Sequence, residues 1–361
     1  MSGANASPTG RSHNLMSGAN ASPTPRSLGY RMPAEWEKQE AIWLTWPHNE
    51  ITWPDGMLAD VERAYVDIIR ALHTGQKIKL LVKDSDSEAK IRLMLDRQGV
   101  ALSQIVFVPV AAEDSWIRDY GPTFVVHPAE RRLAMVKWRF NAWGDKYDDL
   151  IRDDRIPHAL NKALQLPVFE PGIVLEGGSI EVNGAGTVLT TEQCLLNKNR
   201  NPQLSREQIE EYLKEYINVS RVLWLAEGIA GDDTDGHIDD IARFTGKDTV
   251  VCAFEDDPAD ENHEILADNY QRLMSFGLNV IQLPMPGDIR DRHARLPASY
   301  ANFYIGNAAV VVPVFGHSND SRALEILQKC FPSHRVVGVQ ATTMVHGLGT
   351  IHCCSQQEPA L

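Results

Sequence analysis

The sequence predicts a mixed α/β fold built from repeated strand-strand-helix-strand units. Three observations carry this. Hairpin patterns recur at spacings of roughly 60 residues, each turn has reversing chemistry, and amphipathic helical stretches fall between them. That spacing is longer than a typical propeller blade and leaves room for a helix in every unit.

The elements follow in order. Ala41–Trp46 (AIWLTW) reads as a buried strand, and Leu58–Leu72 sets Leu58, Val61, Tyr65, Ile68, Ile69 and Leu72 at helical spacing. Lys79–Val82, the amphipathic Glu88–Arg97 and Ile105–Val110 continue the alternation. Four hairpins come next, at Thr123–Phe140, Ser179–Thr190, Ile241–Phe254 and Ala301–Val314. They turn at Pro128-Ala129, Asn183-Gly184, Gly246-Lys247-Asp248 and Gly306-Asn307. Ser205 precedes a helix with Ile209, Tyr212, Leu213 and Tyr216 on one face, and Gln208 occupies the capping-box position. Glu264–Phe276 ends at Gly277, and Ser321–Cys330 stops before Pro332.

The peptide SGANASPT occurs at Ser2–Thr9 and again at Ser17–Thr24. Residues 1–25 are therefore read as a disordered, tag-like segment, a cloning scar or a mistaken upstream start. With no Pro/Ser-rich linker beyond them, 26–361 are read as one catalytic domain.

Composition narrows the function. An apolar content of 43% is ample for a core, and no run approaches the roughly 18 apolar residues of a membrane span. Five cysteines without a C-x-x-C pattern fit reduced thiols and a cytoplasmic location rather than a secreted framework. A formal charge of -13 disfavours a nucleic-acid partner, which needs clustered Lys and Arg.

Most unit entries are polar: WIRDYGP (Trp116–Pro122), LEGGS (Leu175–Ser179), GDDTDGHIDD (Gly231–Asp240) and GLGTIHCCSQQ (Gly347–Gln357). Together they offer carboxylates, a histidine flanked by acids and a cysteine near the chain end, with no lysine. A planar guanidinium suits such a set, because carboxylates bond its N–H fork and need a cation to stay ionised when buried. Its resonance-stabilised carbon calls for a strong nucleophile, which a thiolate supplies, and expulsion of ammonia calls for a proton donor such as His⁺.

With MPAEWE (Met32–Glu37), FNAWG (Phe140–Gly144), NKNRNP (Asn197–Pro202) and SYANFYI (Ser299–Ile305) added, the chain resembles the agmatine deiminases of the bacterial peptidylarginine-deiminase-like family, within the guanidino-modifying superfamily. The resemblance spans about Tyr30 to Pro359. It implies a five-bladed α/β propeller of pseudo-repeated ββαβ units around a central active site. It also implies hydrolysis of agmatine to N-carbamoylputrescine and ammonia without metal or cofactor, and a homo-oligomer, a dimer or higher. Residue by residue, it implies Cys353 as nucleophile, His237 as general acid and base, Glu176 orienting that histidine, and Asp119 and Asp239 gripping the guanidinium. Trp116 and Asp233 are implied for the aliphatic stem and distal amine.

Other readings stand beside these. The family's GGGN is GLGT here, at Gly347–Thr350, and a second cysteine, Cys354, follows the first. Taken alone, Cys353 and Cys354 divide evenly as nucleophile, since neighbours in an extended segment face opposite ways. Asp119 beside Arg118 reads as a surface ion pair, Glu176 as the edge of a turn, Trp116 as packing, and Cys194, Cys252 and Cys330 as small buried hydrophobes. His237 among five aspartates also admits a metal site. At the level of function, the alternatives are a deiminase of arginine or peptidyl C-terminal arginine, a polyamine-binding protein and a metal-dependent amidohydrolase.

Overall fold

The computed structural model describes residues 22–292 and 294–361, so nearly all of the segment read as disordered lies outside the described residues. Its end does not: Thr24 Oγ1 donates to Glu215 Oε2 at 2.7 Å, on the helix Arg206–Ile217.

The fold is mixed α/β, and four of its sheets follow one plan, an antiparallel hairpin and then a helical crossover to a strand parallel to the hairpin's second arm. Thr123–His127 and Arg132–Val136 are joined by Val168–Phe169. Glu181–Val182 and Thr187–Thr191 are joined by Arg221–Leu225 after Arg206–Ile217. Ala242–Gly246 and Thr249–Phe254 take Asn279–Pro284 through His263–Ser275. Tyr304–Ile305 and Ala309–Val314 take Arg335–Gln340 through Asp320–Cys330.

A fifth sheet unites the chain ends. Ser355–Pro359 lies antiparallel to Gln39–Thr45, which continues through Leu58–Leu72 to Lys77–Leu81 and then Ile105–Val108. A small ribbon, Arg290–Asp291 with Ala294–Arg295, stands apart from these five. The predicted helices appear with ends shifted by three residues at most, and the capping box at Ser205 and Gln208 is present. Two turns are looser than tight hairpins. Four residues, 128–131 and 183–186, separate the paired strands, and Asn183 Oδ1 accepts from the backbone of Ala185 and Thr187 to close the second.

The helices earn their places by burying one face. In Leu58–Leu72 the buried set includes Val61, Tyr65, Ile68, Ile69 and Leu72, the residues whose spacing predicted it. No described helix is long and apolar enough to cross a membrane.

Candidate active site

Each sheet is entered through a short irregular segment, and the side chains of these segments meet. Asp119 lies in the single turn Ile117–Tyr120, Gly178 in Gly177–Ser179, and His237 immediately precedes Ile238–Asp240. Asn302 comes just before Tyr304–Ile305, and Cys353 just before Ser355–Pro359. Entry segments are short because each strand begins at once behind them, so their side chains have little freedom to turn elsewhere.

Gly178 is the common neighbour. A Cβ at this position would stand 2.6 Å from His237 Nδ1, 2.8 Å from Asp119 Oδ1 and 3.2 Å from Asp239 Oδ2. Only glycine leaves that point open. Its N–H donates to Asp119 Oδ1 at 2.9 Å, and Trp143 Nε1 holds Oδ2 at 3.0 Å. Trp143 reaches this place from a left-handed run in which Ala142, Trp143, Gly144 and Asp145 all have φ between 50° and 91°. Three of these are not glycine, and backbone of that kind costs about 1–2 kcal/mol per residue.

Cys353 is buried. Its Sγ accepts from Asn302 Nδ2 at 3.1 Å and lies 3.9 Å from Asp239 Oδ2. Asn302 also braces the loop: its Oδ1 accepts from the His352 backbone at 2.9 Å and from Thr350 Oγ1 at 2.7 Å. Burial pushes the Cys353 thiol well above the ordinary range, and the carboxylates of Asp239, Asp240 and Asp119 push the same way. Cys354 is buried too, but Cys353 lines the cleft and Cys354 does not. Burial raises the Cys354 thiol, with Tyr65 of Leu58–Leu72 as its neighbour.

His237 Nδ1 is 3.7 Å from Asp119 Oδ1, and neither ring nitrogen has a hydrogen-bond partner among the described residues. Burial works against its charge, yet the Asp119 carboxylate, Cys194 and Asp239 hold the imidazole well above the usual histidine range. Asp119 is pushed up to about 6 by burial, opposed by His237 and reinforced by Asp239 and Glu176. Burial would raise Asp239 as well, but His352, His237 and Arg243 bring its carboxyl below the usual range.

Glu176 lies beside the imidazole, held there by Arg200. Its Oε1 accepts from Arg200 Nε at 2.6 Å, and its Oε2 is buried without a donor among the described residues. Glu176 oxygen, Cys194 Sγ and a His237 ring nitrogen lie within 4.8 Å of one another, so the acid is near the ring but not hydrogen-bonded to it. Cys194, read from sequence as a plain buried hydrophobe, therefore borders the imidazole. The surface ion pair of Asp119 with Arg118 is absent: Arg118 is buried and bonds Gln357 Oε1 at 2.7 Å and Glu35 Oε2 at 3.2 Å.

The cleft leads outward past Trp116 and Leu348 to Tyr147 and Asp233. Gly347 and Gly349 press on the Trp116 ring, where added Cβ atoms would come to 2.9 Å and 2.6 Å. Leu348 between them takes φ 67°. Tyr147 Oη donates to Asp233 Oδ2 at 2.5 Å, while burial pushes the Asp233 carboxyl up. Among the described residues lining the cleft there is no lysine or arginine.

Among the described residues two donor sets could approach a metal ion, Glu176 with Cys194 and His237, and Asp239 with Asp240 and Cys353. Both already serve other donors: Arg200 binds Glu176, Asn302 binds Asp240 and Cys353, and His352 binds Asp239. A fixed guanidinium against one ligand works against a second cation there.

Buried carboxylates, an imidazole and a thiol around an open point define a site for cationic amidine chemistry. The chain belongs to the Porphyromonas-type peptidyl-arginine deiminase family, whose model matches residues 31–359. It is 36% identical to an agmatine deiminase of Medicago truncatula, over 92% of this chain and 97% of that one. The solved structure of the agmatine deiminase of Enterococcus faecalis superposes with a TM-score of 0.86 at 35% identity, covering 94% of this chain and 99% of that one. An agmatine deiminase of C. jejuni with substrate bound gives 0.84 at 31%, covering 91% and 96%.

Arg200, Asn302, Trp143 and His352 were not assigned from sequence. Each nevertheless sits inside a motif noted there: NKNRNP, SYANFYI, FNAWG and IHCC.

Proposed function

We propose that this protein is an agmatine deiminase, converting agmatine and water to N-carbamoylputrescine and ammonia. The observation that carries the reading is the meeting of Cys353, His237, Asp119 and Asp239, from three segments, at the end of a cleft whose described lining lacks Lys and Arg. An arginine substrate would bring an α-carboxylate to that lining, which holds no lysine or arginine among the described residues, while Lys146 beside Asp233 is already bonded to the Asp233 carbonyl and to Asp235. A distal ammonium instead meets Asp233, whose Oδ2 takes Tyr147 and whose Oδ1 has no donor among the described residues.

In this mechanism Asp119 and Asp239 take the guanidinium N–H groups from two sides. The arriving cation offsets the carboxylates that hold the Cys353 proton, and that proton is lost to solvent. Sγ then adds to the guanidinium carbon while the C–N π pair moves onto nitrogen. His237, as imidazolium, protonates the departing nitrogen, ammonia leaves, and an S-alkylthiouronium remains. Neutral His237 next takes a proton from water as its oxygen adds to the same carbon. The C–S bond breaks, the thiolate is regenerated, and the remaining proton leaves with ammonia as ammonium. Glu176, held by Arg200, supports the charged form of His237 through space, and Trp116 walls the substrate's stem.

The same proposal includes the finer architecture. Four hairpin-plus-parallel-strand sheets and a fifth that joins Gln39–Thr45 to Ser355–Pro359 support a five-bladed propeller in one domain, 26–361; the proposal also takes the protein to be cytoplasmic and a homo-oligomer of at least two chains. Ammonia release from agmatine, arginine and a peptide with C-terminal arginine, each with Cys353→Ser alongside, tests the chemistry. Agmatine is expected to dominate by kcat/KM and the variant to be silent; turnover by the variant contradicts the mechanism. Light scattering tests the assembly, where a monomer removes that part.

A further inference from the structure

His352 precedes the nucleophile and takes no part in the reaction just described, yet both its ring nitrogens are engaged. Nδ1 lies 2.6 Å from Asp239 Oδ2 and Nε2 lies 2.9 Å from Glu35 Oε2. The ring is buried between them.

Glu35 is a fully enclosed acid with four donors. Besides His352 it accepts from Arg243 Nη2 at 2.9 Å, Arg118 Nη2 at 3.2 Å and the Ile305 backbone at 2.8 Å. Arg243 also bonds Glu181 at 3.0 Å, and Arg118 Nε donates to the His352 carbonyl at 3.3 Å. The charged groups facing the ring are thus Asp239, Glu35 and Glu181 on the acidic side and Arg118 and Arg243 on the basic side. Asp240 and Cys353 lie beyond Asp239.

Each imidazole-carboxylate contact of this length needs a proton between nitrogen and oxygen. Burial would raise Glu35, but Arg243, His352 and Arg118 hold its carboxyl well below the usual range, and Asp239 is lowered as well. With Asp239 on the ionised side, its Oδ2 is the acceptor and the His352 Nδ1–H the donor.

The consequence falls on Asp239. One oxygen is taken by His352, and the other, Oδ1, is buried without a donor among the described residues. We infer that His352 is a positioning residue: anchored on Glu35, it clamps Oδ2 of Asp239 and so leaves Oδ1 as the oxygen that receives the guanidinium. The inference rests on the reading of Asp239 as a guanidinium ligand.

Isosteric variants separate the two ring contacts. In His352→Asn the amide nitrogen replaces Nδ1 and keeps the donor to Asp239; in His352→Gln it replaces Nε2 and keeps only the donor to Glu35. KM for agmatine is expected to rise about 10-fold or more in His352→Gln and His352→Phe, and clearly less in His352→Asn. Equal KM values in the Asn and Gln variants overturn the clamp.

A second measurement needs no variant to be active. The imidazole ¹⁵N resonances of the unaltered protein, followed at pH 7.5 and assigned by their disappearance in His352→Asn, are expected to show a proton on Nδ1 of His352, the nitrogen facing Asp239. An Nδ1 without a proton overturns the inference even if agmatine is turned over. If the unaltered protein releases no ammonia from agmatine, the proposed function fails and the resonance measurement still decides the state of the ring.

Discussion

Asn302 Nδ2 donates to Cys353 Sγ at 3.1 Å, and the same side chain's Oδ1 receives the backbone N–H of His352. One amide thus sets both the sulfur's hydrogen bond and the height of the loop that carries it.

Asn302→Ala should lower kcat for ammonia release by about 10 to 100-fold, the worth of a donor to a charged group. Stopped assays at saturating agmatine measure it. An unchanged kcat means that the bond to sulfur has no part in the reaction.

The buried, acid-surrounded thiol of Cys353 lies above its ordinary range, so it is protonated in the free protein at neutral pH. Neutral iodoacetamide should therefore alkylate it slowly at pH 7 and faster as pH rises. A cationic haloacetamidine should label it about 100-fold faster at pH 7, since it supplies the charge the carboxylates await. Mass spectrometry of the Cys353 peptide reads both, and equal rates at pH 7 argue against the carboxylate cup.

Asp119 must be ionised to hold a guanidinium, and burial lifts it to about 6. Its charged form is lost as pH falls through that value, so kcat/KM should drop on the acid side with a midpoint near about 6. His237, held above the histidine range, stays charged across the same interval and does not produce this limb. In Asp119→Asn the limb should vanish along with most of the activity, by about 10³-fold or more.

Gly178→Ala places a methyl group among His237, Asp119 and Asp239 at under 3.3 Å from each. Activity should fall by about 100-fold or more through misplacement alone. Circular dichroism should remain that of the unaltered protein, because the methyl enters the open point of the site. Retained activity would place the reaction elsewhere.

Arg200 bonds Glu176 at 2.6 Å and Asp235 at 2.8 Å with its own side chain fully buried. Arg200→Ala strands the Glu176 charge, and urea unfolding should report a loss of about 3–5 kcal/mol. A midpoint unchanged from that of the unaltered protein refutes this account of the pair.

Local physics made much of this molecule legible from its sequence. The spacing of Val61, Tyr65, Ile68, Ile69 and Leu72, and the pairing of Ser205 with Gln208, depend only on neighbours along the chain, and they marked their helices. Cys353, His237, Asp119 and Asp239 were named through the family resemblance of their motifs; residue type alone left Cys353 level with Cys354 and Asp119 in a surface ion pair.

What the tertiary structure decided is who meets whom. Glu176 lies 24 residues from Arg200 and His352 lies 317 from Glu35, yet each pair is in contact, and no periodicity encodes such distances. Cys353 and Cys354 were equivalent by local rule until the fold turned one to the cleft and packed the other beside Tyr65. A sequence fixes residue types and short-range geometry, but a buried charge finds its partner only when strands remote along the chain exclude water together. That exclusion gives the carboxylates around Cys353 their force.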